Sequence, residues 1–96
     1  MKAGEILKTA DSLINGDRAA SYGDALATHQ KIADQWTQTL TLAGMKPEKP
    51  LTAEVVAWLM ADLKKVRAYC GPFHADSFVD CTAYIALAGE IKSRVG

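Results

Sequence analysis

Apolar residues recur at helical spacing in four separate segments of this chain, and almost nowhere do they alternate as a half-buried strand requires. That pattern predicts an all-α fold, and the breaks between segments set the helix count at four. The first helix is expected over about 3–14. Ile6, Leu7, Ala10, Leu13 and Ile14 form one stripe, while Glu5, Lys8 and Ser12 face away. Asn15-Gly16 follows as a stop, since either residue accepts φ > 0. The second is expected over about 25–43, with Asp24 as N-cap, an apolar stripe of Leu26, Ile32, Ala33, Trp36 and Leu40, and Gly44 at its end. Pro47 and Pro50 make the next stretch a loop.

The third helix is expected over about 53–69, with Thr52 as N-cap and Leu51 stapled against Val56. Its apolar arc is wide: Val55, Val56, Trp58, Leu59, Met60, Leu63 and Val66. Gly71-Pro72 breaks it. The fourth is expected over about 76–95. Its apolar residues cover most of the circumference, which marks a central, buried helix. The short connections favour a four-helix, bundle-like single domain over 1–96, with antiparallel neighbours.

Composition narrows the function classes. Acidic and basic residues balance at 11 each, so no basic excess draws the chain to nucleic acid. The longest strongly apolar run, 55–61, is far short of the ~20 residues that span a bilayer. The N-terminus carries Glu5 and no continuous apolar stretch, unlike a signal peptide. The expected location is the cytoplasm. Cys70 and Cys81 have no zinc-type spacing and read as reduced, small core residues.

Polar residues inside apolar arcs are the candidates for function, because a buried polar group needs a partner. His29 lies mid-stripe on the second helix. It is either a core histidine bonded to a neighbour or a ligand contact whose charge switches near neutrality. On the third helix Asp62 lies between Val55, Trp58 and Tyr69, and Arg67 between Val56 and Met60, either as helix-edge charges reaching solvent or as the wall of a cleft for a phosphorylated ligand. Asp76 and Asp80 share a face of the fourth helix, continued by Tyr84, Leu87 and Ile91. Asp76 reads as a cap or as a partner of Asp80 in holding a divalent ion. An ionised Asp80 among buried neighbours needs a cation: Arg18, Arg67, a lysine or a metal.

The segment from Asn15 to Asp24 holds two Gly-Asp turn signals around a small-residue centre. It places Arg18 and Tyr22 at one end of the bundle. It reads either as a tight connector or as a loop that offers an Arg and an aromatic ring to a nucleotide.

Here a resemblance enters. Asn15-Gly16-Asp17-Arg18 with Tyr22-Gly23-Asp24, then Ile32-Ala33-Asp34-Gln35-Trp36, Leu63-Lys64-Lys65-Val66-Arg67, and Asp76-Ser77-Phe78-Val79-Asp80 with Tyr84 resemble an uncharacterised family of tailed phages and prophages. The likeness runs from about Ile6 to Glu90. The helical layout is also similar to MazG-like nucleoside triphosphate pyrophosphohydrolases, which hold magnesium with a Glu-x-x-Glu helix and a later Glu-x-x-Asp helix. The glutamates here are Glu5, Glu48, Glu54 and Glu90, so the first pair has no counterpart, and Asp80 with Asp76 matches only the second.

Three readings follow. In the first, this is a nucleotide-binding protein, possibly a MazG-like pyrophosphohydrolase. The resemblance then implies that Arg18, Lys64 and Arg67 hold phosphates, that Asp76 and Asp80 hold magnesium, and that Tyr22 or Trp36 stacks on a base, with His29 as a further contact. In the second, the protein sequesters a nucleotide signal without turnover or metal. In the third, it is an interaction module, anchored through Trp36 or Trp58. Self-association into a homo-oligomer is compatible with the first and the third.

Overall fold

In a computed structural model, residues 1–16 and 24–95 are described, and they form four helices with no strand among them. These are α1 (Ala3–Asn15), α2 (Ala25–Leu42), α3 (Ala53–Tyr69) and α4 (Ala75–Val95). Several boundaries have a local cause. Asp24 caps α2, its Oδ2 accepting the Ala27 N–H at 3.3 Å. Thr52 caps α3 in the same way, its Oγ1 accepting the Val55 N–H at 3.3 Å. Gly44 and Gly71, just past α2 and α3, have φ of +81° and +90°, values that L side chains resist. Leu51 N–H donates to Thr37 Oγ1 at 2.9 Å, which ties the proline loop back to α2.

Gly16 stops α1 for a different reason from the one expected. Its φ is −96°, not left-handed. A Cβ there would instead collide with the Ser12 carbonyl oxygen, so the requirement is for space rather than for positive φ.

α4 is the hub, as its all-round apolar character predicts: it packs against α1, α2 and α3. α1 packs on α4 alone among these helices, with Ala10 against Val79 and Ala83, flanked by Ile6, Leu13 and Ile14. α2 rests mainly on α3. Where α3 meets α4, the buried cluster is Ala53, Ala57, Ala88 and Ile91, with Leu26 of α2 against it.

This core is built of small residues. Among the described residues, seven of the ten buried hydrophobic ones are alanines, and only Ile91 and Val56 are large side chains fully shut from water. The α3 arc read from sequence therefore needs correcting. Val56 is buried, but Val55, Trp58, Leu59, Leu63 and Val66 are exposed. The alanines at 53, 57 and 61 let α3 lie close on its neighbours, and the bulkier residues point outward. Leu7 of α1 is also exposed. Of the two cysteines, Cys81 is half-buried, its Sγ donating to the Ala61 carbonyl at 3.5 Å, whereas Cys70 is exposed at the end of α3. No helix among the described residues is long and apolar enough to cross a membrane.

Candidate functional site

Between the end of α1, the first half of α2, the middle of α4 and Met60 of α3 lies a cavity of about 540 Å³. That volume falls within the range of about 300–1,000 Å³ found for small-molecule sites. Leu13, Ile14, Ile32, Met60 and Leu87 give it an apolar lining. Into that lining project His29 from α2 and Asp80, Tyr84 and Glu90 from α4, with Asp24 at the start of α2. Asp80, Tyr84 and Leu87 stand four and three residues apart, the spacing that sets side chains on one face of a helix.

His29 is buried, and its ring nitrogen Nδ1 lies 2.8 Å from the Ala25 carbonyl oxygen. A carbonyl only accepts, so Nδ1 carries the proton, and in the neutral ring Nε2 is the acceptor. The His29 and Tyr84 rings meet edge to face, with centroids 6.3 Å apart and planes at 66°. Two helices thus present a heteroaromatic ring and a phenol together.

Two acids of the cavity are paired with cations from outside it. Lys64 Nζ sits 3.1 Å from Asp80 Oδ2, linking α3 to α4. Arg94 Nη1 donates to Asp24 Oδ1 at 2.9 Å, linking the end of α4 to the start of α2. The Arg94 hydrogen bond is the main reason that the Asp24 carboxyl is held below its ordinary pKa; the Ala27 N–H adds to it. The same bond raises Arg94, with Glu90 adding a smaller attraction.

Of the residues singled out in the sequence, His29 and Asp80 meet in the cavity, and Lys64 joins them through its ion pair. Asp80 therefore takes a lysine, not Arg67, as its cation. Trp36 is half-buried on α2 but does not line the cavity, and Arg67 is exposed in the last turn of α3. Asp76 is exposed inside the first turn of α4, which begins at Ala75, so it is neither the cap nor a cavity residue. Arg18 and Tyr22 lie outside the described residues. Among the described residues, no three His, Cys, Asp or Glu side chains converge as metal ligands. Asp76 lies outside the cavity lining, and Asp80 is engaged by Lys64. Sequence reasoning left Tyr84, Asp24, Glu90 and Arg94 out of the site. Tyr84 was visible as the continuation of the Asp80 face; the Arg94–Asp24 pair spans 70 positions and leaves no local signal.

A family described as a domain of unknown function (DUF6378) matches residues 5–92. The Gene 55 protein of Mycobacterium phage L5 is 39% identical over 87 residues, covering 91% of this chain and 52% of that protein. The chain thus spans about half the length of that relative. No solved structure matches.

Proposed function

From the premise that this chain belongs to the DUF6378 family of domains of unknown function, with a phage protein among its relatives, we propose that it binds a nucleotide and takes the base end into the cavity beside His29 and Tyr84. The observation that carries this reading is the pairing of those two rings over an apolar lining. A flat heterocycle gains both stacking area and edge contacts there. The polar groups at hand are mostly acceptors: the carboxylates of Asp80 and Glu90 and Nε2 of His29. They suit bases with amino groups, such as adenine and cytosine, better than uracil or thymine. Glu90 repels a polyphosphate, so the phosphates point out to solvent.

A MazG-like pyrophosphohydrolase needs metal ions to offset the charge that builds on the phosphates. The carboxylates described here do not form such a set, which favours the non-catalytic, sequestering reading over turnover.

Thermal-shift titration tests the proposal, using nucleosides, nucleoside monophosphates and triphosphates, each with and without magnesium. Adenosine or cytidine and their phosphates should stabilise the protein to similar extents, without need of magnesium. A ligand at 100 times its Kd adds ~2.7 kcal/mol, a clear shift for a domain this small. Stabilisation by triphosphates alone, and only with magnesium, would point to the enzyme. No shift with any nucleoside or nucleotide would end the nucleotide reading.

A further inference from the structure

The outward face of α3 is unusually apolar for a surface. Val55, Trp58, Leu59, Leu63, Val66 and Tyr69 are all exposed, Tyr69 at 89%. The whole chain is correspondingly open. It exposes 6782 Å², whereas a compact monomer of 10.3 kDa exposes about 5,400 Å². Its radius of gyration is 14.5 Å, against about 12.5 Å for a compact chain of this length. A standard interface covers ~800 Å² on each partner. An alanine-rich interior with the bulky residues outside leaves much of the available hydrophobic stabilisation unused within one chain.

The order of residues on this face says what covers it. Trp58, Asp62, Lys65 and Tyr69 stand at spacings of four, three and four, which places them on one stripe of the helix. The stripe is palindromic in character: aromatic, acid, base, aromatic. The pairs Trp58/Tyr69 and Asp62/Lys65 share one midpoint, between Leu63 and Lys64. Two copies of α3 laid antiparallel about a two-fold axis at that midpoint set Trp58 opposite the partner's Tyr69 and Asp62 opposite the partner's Lys65. Each contact then occurs twice, as a two-fold interface requires.

The side chains are exposed on this face. Asp62 and Lys65 of one chain are 4.0 Å apart and at least 64% exposed, the weakest of the described ion pairs. The Trp58 indole is held in place on the surface, its Nε1–H donating to Glu54 Oε2 at 2.9 Å, so less ordering is needed on contact. With no net charge, two copies do not repel at long range.

We infer that α3 is a homodimer interface in which a second copy packs antiparallel, Trp58 against the partner's Tyr69 and Asp62 against the partner's Lys65.

Sedimentation velocity over a concentration series tests this, with circular dichroism confirming that each variant keeps its helix content. The wild-type chain should sediment with twice its 10.3 kDa mass. Asp62→Lys and Lys65→Asp, each alone, place like charges across the axis and should weaken the dimer by at least about tenfold. The double reversal, Asp62→Lys with Lys65→Asp, should restore it. Trp58→Ala with Tyr69→Ala should leave a folded monomer. A wild-type monomer throughout the series would overturn the inference, and so would heterogeneous aggregation. A dimer indifferent to the single charge reversals would overturn it as well, since another face would then be holding the copies together.

Discussion

Lys64 Nζ lies 3.1 Å from Asp80 Oδ2, with side-chain exposures of only 20% and 22%, and the pair joins the middle of α3 to Asp80 of α4, which lines the cavity. An ion pair this sheltered falls between exposed pairs, worth up to ~1 kcal/mol, and fully buried ones, whose disruption costs ~3–5 kcal/mol. Asp80→Ala should therefore destabilise the fold by about 2 kcal/mol in urea unfolding. Lys64→Ala should cost a similar amount, and the double variant should cost less than the two together. Additive losses would show that the two charges act independently.

That pair also shows how far the sequence could be read. Asp80 lies among residues that had to be buried, so its need for a cation was visible, with a lysine among the candidates. Which cation met it depended on how α3 turns against α4. Hydropathy could not fix that rotation, because α3 is apolar on both sides. Alanines at 53, 57 and 61 face in, and Val55, Trp58 and Val66 face out. A scale that ranks bulk above smallness inverts this helix. Local signals fared better. Asp24 and Thr52 cap their helices as their side chains predict, and His29 is buried where its stripe places it.

The Asp24–Arg94 pair predicts an acid limb of stability. Arg94 holds the folded Asp24 carboxyl below its ordinary value of 3.8. A depressed carboxylate stabilises the fold fully above its unfolded pKa and loses that contribution as pH falls through the folded one. Melting temperature should thus drop below about pH 4. Asp24→Asn, which keeps the capping oxygen and removes the charge, should flatten that drop. The same bond raises Arg94, so its own loss lies at alkaline pH beyond the working range. Because the pair is exposed, 1 M salt should shrink the difference between wild type and variant. An acid limb unchanged by Asp24→Asn would assign it to other carboxylates.

The same substitution should act with opposite sign at two glycines. Gly71 has φ of +90° at the end of α3, and alanine there should cost about 1 kcal/mol. Gly89 lies within α4 with nothing within 4 Å of an added Cβ, and alanine there should gain roughly 0.5–1 kcal/mol. Thermal melts of the two variants should move apart by several degrees. A loss at Gly89 would mean that this open position faces a partner that needs the space.

The bond from His29 to the Ala25 carbonyl predicts a fixed tautomer. In the neutral ring, Nδ1 bears the proton and Nε2 is bare, the reverse of the form favoured in free histidine. Long-range ¹H–¹⁵N correlation spectra should show this directly. If a base enters beside Tyr84, the Nε2 signal should shift on titration with adenosine, because a bare nitrogen is the one that accepts from an amino group. Tyr84→Leu keeps the bulk and removes the ring. It should weaken adenosine binding by about fivefold to tenfold, the worth of one aromatic pair. His29→Ala should weaken binding and also cost about 1 kcal/mol of stability through the lost bond to Ala25. A tautomer with the proton on Nε2 would turn the ring from acceptor to donor. The base preference would then shift toward those that present a carbonyl to it.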